Sequence, residues 1–326
     1  MESAILLDLA RSCIRLTTPI LLAALGATIC NRAGILNFSL EGKMLLGSFV
    51  GILATYWLGN SALGLVAAMV AGGLLGAIFA FLFIRYKVDL VIMAIAINMF
   101  VLEMTVFLLR SFFGGAGTWS DPSIVQLPDI QIPLIHAIPV IGPLISGHNI
   151  IVYIAWLTTI LMQIVIFRTK LGRHIRAVGE NPEAAKAVGI NVARMQFIAL
   201  VISGALAALG GAFLSIGHLT LFTRNLSNNR GFVGFSAALF GMNNPLGVFF
   251  SSLLFGSADA IAMRLQMITD IPPSIIQFFP NVLTILALVI VAMRVKGRET
   301  ITRLLFRSQL LKRLENPDKS IDKGNQ

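Results

Sequence analysis

Long apolar runs alternate with short polar breaks along this chain, and most of the runs are as long as a helix that crosses hydrocarbon. They occupy residues 5–30, 41–58, 62–85, 88–112, 149–167 and 196–217, and then 229–243, 245–266 and 274–294. With a rise of about 1.5 Å per residue, about 20 helical residues span a bilayer core. The run 229–243 is short for a crossing. The segment from Asn31 to Gly42 is polar enough to enter a bilayer only as broken backbone enclosed by protein. The pattern predicts an all-α integral membrane protein, a polytopic bundle of about 8–10 transmembrane helices with broken or re-entrant segments.

Composition agrees with that reading. Apolar residues make up 56% of the 326 and charged residues 12%, whereas a soluble domain carries roughly a quarter charged residues. The N-terminal run contains Arg11 and Arg15 and no clear small-residue cleavage site. It is therefore expected to remain as the first span rather than leave as a signal peptide. The net charge of +10 does not point to nucleic acid, because the basic residues sit at the ends of apolar spans and not on an amphipathic soluble face. Cys13 and Cys30 would stand about 25 Å apart on one helix, too far to bridge each other, and no redox or metal role is expected of them.

Basic residues also set the topology, since loops rich in Lys and Arg stay in the cytoplasm. Arg168, Lys170, Arg173, Arg176, Lys186 and Arg194 crowd one loop, while the 37 residues from Phe113 to Asn149 contain no Lys or Arg. The first is expected inside and the second outside. Arg85 and Lys87 agree, and so does the segment from Arg294 onward, with nine basic and four acidic residues. The expected organisation is a membrane domain over 1–294, including a cytoplasmic loop at 168–195, and a basic cytoplasmic tail over 295–326. Two features fit less well. Arg224 and Arg230 fall in an external loop, and counting nine spans back from the tail puts the N-terminus outside despite Arg11 and Arg15; a re-entrant Asn31–Gly42 would remove the second conflict.

The basic loop carries the most specific local chemistry. Asn181 is a good N-cap, Pro182 is pre-set for the first helical position, Glu183 suits the positive end of the helix dipole, and Gly189 can take the left-handed C-terminal conformation. Two helical turns with fixed ends follow, with a small face of Ala184, Ala185 and Val188. Such a helix either docks into a groove on another protein or is a capped surface helix of an ordinary loop.

Three segments together carry a family resemblance. Glu183-Ala184-Ala185 followed by Gly189 resembles the EAA loop of ATP-binding-cassette importer permeases, without the later Ile-containing part of that pattern. The run Arg176-Ala177-Val178-Gly179-Glu180-Asn181-Pro182, with Gly189-Ile190, is similar to permeases of the branched-chain amino acid, simple sugar and nucleoside superfamily. Arg32-Ala33-Gly34-Ile35-Leu36-Asn37 with Glu41-Gly42, and Gly231 to Gly234 with Ala237 to Gly241 and Asn243 to Gly247, look like the nucleoside-type members. Sugar-type permeases usually carry Gly-Ile-Asp-Leu-Ser-Val-Gly where this chain has Gly34 to Glu41. The resemblance spans about residues 15–294.

That resemblance implies a permease subunit in the bacterial cytoplasmic membrane that translocates nucleosides, purine nucleosides first, with simple sugars or branched-chain amino acids as alternatives. It implies several partners: separate ATPase subunits that bind ATP-Mg, a second permease (a paralogue or another copy), an extracytoplasmic solute-binding protein and a small polar solute. Asn181, Pro182, Glu183, Ala184, Ala185 and Gly189 become the ATPase-coupling helix. Asn37, Ser39, Glu41 and Asn98 either line the passage and bond ribose hydroxyls or base edges, or satisfy backbone groups freed at helix breaks. Phe235, with Phe232 and Phe240, either stacks on a passing base or packs. Arg224 and Arg230 either dock acidic residues of the binding protein or cap the loop. The basic tail, with Arg303, Arg307, Lys312 and Arg313 among leucines, either lies along anionic lipid or is solvated.

An enzyme is not expected. The phosphate-binding pattern Gly-x4-Gly-Lys-Ser/Thr is absent, because at the nearest dipeptide, Gly42-Lys43, Asn37 occupies the glycine position and Met44 the hydroxyl position. The four histidines, His136, His148, His174 and His218, have no metal-ligand spacing, so no cofactor is expected in this chain. An ion-coupled secondary transporter is the remaining rival, left open by Glu103 and Asp259 in apolar spans.

Overall fold

The computed structural model describes residues 2–114, 117–131 and 146–268, with Val282 and Val289 beyond them. The chain divides into two units, residues 1–280 and 281–326, and the helices below belong to the first. The ninth expected span (274–294), apart from Val282 and Val289, lies outside the described residues, as do the basic tail and His136.

The described residues form ten α-helices, eight along apolar runs and two, α6 and α7, in the basic loop: α1 (Glu2–Arg32), α2 (Leu40–Leu58), α3 (Ser61–Tyr86), α4 (Leu90–Phe113), α5 (Ile150–Arg168), α6 (Lys170–Glu180), α7 (Pro182–Ala187), α8 (Val192–Ala212), α9 (Arg230–Phe240) and α10 (Pro245–Ile268). A π-helical turn, Phe213–Leu219, extends α8. Local chemistry sets the ends. Asn60 and Asp89 cap α3 and α4 by accepting hydrogen bonds from Ala62, Leu63, Val91 and Ile92 N–H groups, and Gly114 ends α4 in the left-handed conformation at φ 62°.

Among the described residues six helices are long and apolar enough to cross a membrane: Leu6–Arg32, Ser61–Tyr86, Leu90–Phe113, Ile150–Arg168, Val192–Leu219 and Pro245–Gln266. Two of the expected spans differ. The run 229–243 contracts to α9, whose 11 residues reach about 16 Å, half a crossing. The second run becomes α2, which carries Glu41 and Lys43 buried in its first turn.

The bundle has two faces. Residues 168–191, with α6 and α7, form the loop face. The opposite, hairpin face carries two short antiparallel pairs, β1 (Thr118–Trp119) with β4 (Phe222–Thr223) and β2 (Asp129–Ile130) with β3 (His148–Asn149). α1 crosses completely between them. Its N-terminal half lines a cavity of about 610 Å³ on the hairpin face, where Asp8, Arg11 and Arg15 stand with Gln126, Asp129, His148, His218 and Arg264. Its C-terminal end rests on α6. The N-terminus and the α6–α7 loop therefore lie on opposite faces, and the polar segment after Arg32 does not turn α1 back.

α1 is the central helix, packed on α8, α9 and α10, and its residues from Leu16 to Ile29 are largely buried. Where α3 crosses α8, Gly72 faces Gly204 and Ala208 so closely that a Cβ on either glycine would overlap the opposite helix. Small residues allow this approach where lipid supplies no hydrophobic drive between helices. Along α3 the exposed Leu63, Val66, Val70, Leu74, Ile78 and Phe81 recur every three or four residues, an apolar stripe suited to lipid contact.

Candidate functional site

The polar segment after α1 rises from the loop face to the start of α2, where it meets the start of α9. Three contacts fix the depth of this break. Gly42 N donates to Asn98 Oδ1 at 2.8 Å, and Asn98 is the ninth residue of α4, about 12 Å from its loop-face end. Asn37 Nδ2 donates to Ser203 Oγ at 2.9 Å, midway along α8. α9 then descends half a crossing from the break, and the turn after it returns to the loop face, where Asn243 accepts from Arg32 Nε at 2.8 Å. Two helices thus begin near mid-membrane, where hydrocarbon offers their first backbone N–H groups no partner, and side chains satisfy several of them.

Glu41 does this for α9. Its carboxylate accepts from the Ser227 hydroxyl, from Asn229 N at 2.9 Å and from Gly231 N at 2.8 Å. A negative charge at a helix N-terminus is favoured by the helix dipole as well as by these bonds. Asn98 bridges the other side, accepting from Gly42 N and donating to Phe38 O at 3.0 Å. Asn37 Oδ1 accepts from Ser39 N and from Ser39 Oγ. Phe38 and Phe235 close the gap between the segments with ring centroids 4.6 Å apart. Asn37, Ser39, Glu41, Asn98 and Phe235, singled out from sequence, therefore form one contiguous constellation at the break.

Sequence reasoning passed over the centre of this constellation. Lys43 is fully buried, its ammonium 4.7 Å from the centroid of the Phe79 ring and 3.4 Å from Asn37 Oδ1. A charge this deep persists only with such partners. The available signal was a lysine inside an apolar span two residues after a glutamate. Ser203 and Cys30, whose thiol donates to Ala199 O at 3.5 Å, complete the surround and carried no pattern of their own.

On the loop face, α7 is built as its sequence dictates. Asn181 Oδ1 accepts from Ala184 N at 3.0 Å, and Pro182 opens the helix. Gly189 has φ 83°. Its N–H donates to Lys186 O and that of Ile190 to Ala185 O, each at 3.0 Å, the paired bonds of a Schellman motif. One expectation is corrected. Ala185 is 3% exposed and forms the seat of the helix on its own protein, while Glu183, Ala184 and Val188 face outward. A cleft of about 740 Å³ runs beside α7, walled by Phe83, Ile84 and Lys87 of the α3 end.

The loop and the break touch each other. A Cβ on Gly179, at the end of α6, would overlap the Arg32 carbonyl, and Gly34 lies in van der Waals range of Gly179. Next to this contact the Arg32 and Arg176 guanidinium groups stack on Phe167, 5.4 and 5.2 Å from its centroid. Asn31 and Arg32 also bond the turn after α9, through Asn243 Oδ1 and the Asn243 and Met242 carbonyls. The three segments that carry the family resemblance, far apart in sequence, meet here.

Arg224 and Arg230 fall on the chain between the hairpin face and the break. Arg224 pairs with Glu103 at 2.9 Å. Arg230 heads α9, its Nε enclosed without a hydrogen-bond partner. Among the described residues no cluster of His, Cys, Asp and Glu is arranged to hold a metal ion.

No solved structure matches the chain. Its sequence is 34% identical over 282 residues to the guanosine ABC transporter permease protein NupQ of Bacillus subtilis, covering 83% of this chain and 87% of that one. It is 31% identical over 286 residues to the nucleoside ABC transporter permease protein NupC of Lactococcus lactis, covering 83% and 88%. A putative glucose ABC transporter permease protein of Haloferax volcanii, TsgC13, is 31% identical over 261 residues, covering 78% and 77%. Residues 9–290, which hold the break, α6–α7 and the turn after α9, match the family described as the permease component of the branched-chain amino acid transport system, and to that family of membrane transport subunits this chain belongs.

Proposed function

We propose that the chain is the membrane-spanning subunit of an ATP-binding-cassette importer that moves nucleosides, purine nucleosides foremost, across the bacterial cytoplasmic membrane. Relatives named for guanosine and nucleoside transport support the solute class. The observation that carries the mechanism is the Gly34–Gly179 contact, which joins the α6–α7 loop to the mid-membrane break. In this reading α7 seats in separate ATPase chains that bind ATP-Mg, through Glu183, Ala184 and Val188 with the adjoining cleft. Closure of those chains moves α6, and the tight glycine contact and the Arg32–Phe167–Arg176 stack pass that movement to the ends of α1 and α9. The break, held by Asn37, Ser39, Glu41 and Asn98 with Phe38 and Phe235, is the two-state element that movement biases. A second permease, a paralogue or another copy, completes the passage. An extracytoplasmic binding protein delivers solute on the hairpin face, with Arg224 and Arg230 below its docking site. The loop face is then cytoplasmic, and this chain itself makes and breaks no bonds.

The test is uptake into proteoliposomes holding the complete importer, with guanosine, inosine, adenosine, uridine, ribose, glucose and leucine offered in turn. ATP-dependent, binding-protein-dependent uptake of nucleosides is expected. Uptake of glucose or ribose alone would move the assignment to sugars, the solute class of the Haloferax relative's name. Uptake that ignores ATP and collapses with an ion gradient would replace the importer with a secondary carrier.

A further inference from the structure

Glu103 is the fourteenth of the 24 residues of α4, about 20 Å from one end of the helix and about 15 Å from the other. That is the middle of a bilayer, where an ionised side chain does not face hydrocarbon. Yet the Glu103 side chain is 63% exposed and its partner Arg224 is 56% exposed. The pair also sits among exposed apolar neighbours: Met99 and Phe107, one turn either side of Glu103, are themselves exposed. This side of the protomer must therefore meet water or protein at mid-depth. It adjoins the break, because the loop that carries Arg224 continues to Asn229, whose N–H is held by Glu41.

The contact joins one carboxylate oxygen, Oε1, to one guanidinium nitrogen. The second carboxylate oxygen and the other guanidinium N–H groups remain for a ligand, and an exposed pair is weak enough to be opened at small cost. Side by side, an acceptor carboxylate and a donor guanidinium complement a planar edge that offers donors next to acceptors. A 6-oxopurine offers this along one perimeter: N1–H and, in guanine, the exocyclic amine for the carboxylate, then O6 and N7 for the guanidinium. Asn225, Asn228 and Asn229 are exposed on the same loop, each in the left-handed conformation, and their amides suit ribose hydroxyls.

We propose that Glu103 and Arg224 form a solute-binding station in the passage that takes the base of a 6-oxopurine nucleoside. The proposal rests on the importer reading above and adds a site in the permease that the relatives' names do not supply. Both residues act by hydrogen bonding alone.

The experiment is uptake by the complete importer in proteoliposomes, normalised to assembled complex. Wild type is compared with Glu103→Gln, Arg224→Gln, Arg224→Lys and the exchange Glu103→Arg/Arg224→Glu. The binding protein is the same throughout, so a change in the ratio between solutes belongs to the permease. Glu103→Gln and Arg224→Gln are each expected to lower guanosine and inosine uptake about tenfold, the worth of one bidentate base contact, and adenosine and uridine uptake less than about twofold. Arg224→Lys, which keeps the charge and loses the fork, is expected to fall between. The exchange is expected to leave guanosine selectivity lost. Equal losses for all solutes, or full recovery in the exchange, would show a structural tether and overturn the proposal, as would unchanged ratios. Wild-type vesicles that take up no nucleoside would instead remove the importer reading, and the station with it.

Discussion

Lys43 and Asn37 show how this fold tolerates a charge where the bilayer forbids one. The ammonium has a ring face at 4.7 Å and an amide oxygen at 3.4 Å, and no carboxylate is among those contacts. Removing one partner from a buried charge costs about 3–5 kcal/mol, whereas replacing the charged residue with an apolar one of similar shape is often neutral. Asn37→Ala is therefore expected to lower the stability of the purified protein by about 3 kcal/mol. Lys43→Met should change it by less than about 1 kcal/mol, and when added to Asn37→Ala it should recover the part of the loss owed to the ammonium, leaving the part owed to Ser39 and Ser203. Thermal or denaturant unfolding in detergent reads all three. If the double variant is no more stable than Asn37→Ala, the amide does not serve the ammonium. The same residues mark a limit of sequence reading. Asn37, Ser39 and Glu41 were conspicuous because polar groups in an apolar chain need a reason, whereas Lys43 entered the sequence reading only as part of the Gly42-Lys43 dipeptide, and its burial depends on how α2 packs against Phe79 of α3.

The element written most plainly in the sequence is α7, because every signal that sets it is local. Asn181, Pro182 and Gly189 each act within one turn, and each does in the fold what its chemistry predicts. The burial of Ala185 was not legible, since it depends on how α6 and α8 hold the helix, a tertiary fact. The half-length of α9 was hinted at by a short apolar run, but its cap comes from Glu41, 188 residues earlier than Asn229, a pairing that no local pattern encodes. Two glycines separate the formation of the coupling helix from its connection. Gly189→Ala places a side chain on a backbone at φ 83°, and a residue forced into a left-handed conformation costs about 1–2 kcal/mol. It should fray α7 and weaken ATPase binding. Gly179→Ala, in contrast, meets the Arg32 carbonyl while leaving α7 and its caps untouched. This variant is expected to bind the ATPase normally and to lose most solute-stimulated ATP hydrolysis. Pull-down of the ATPase and stimulated hydrolysis, measured on the same preparations, separate the two. Stimulation in Gly179→Ala equal to wild type would remove the glycine contact from the transmission path.

At the scale of the molecule, hydrophobic runs placed the crossing helices of the described residues, and charge counting separates the basic loop from the loop without Lys or Arg, with two exceptions: Arg224 and Arg230, and, more directly, Arg11 and Arg15, which lie on the face that should be poor in basic residues. The fold supplies a physical reason. Arg11 and Arg15 line the hairpin-face cavity with Asp8, Asp129 and two histidines, so they face a polar, partly acidic recess and do not stand as a basic flank beside the lipid. The six basic residues of the loop from Arg168 to Arg194 are then left to decide orientation. Single cysteines in a background with Cys13 and Cys30 replaced by alanine test this directly. Val188→Cys stands on the loop face at 76% exposure, whereas Ser123→Cys and Asp8→Cys are exposed near the hairpin face. A membrane-impermeant maleimide is expected to label Ser123→Cys and Asp8→Cys in right-side-out vesicles and Val188→Cys only in inverted ones. Labelling of Val188→Cys from outside would put α7 beyond the reach of any cytoplasmic ATPase, and the importer mechanism would fall. Labelling of Asp8→Cys from inside, with the other two as expected, would leave the coupling intact but show that α1 does not cross as a single helix.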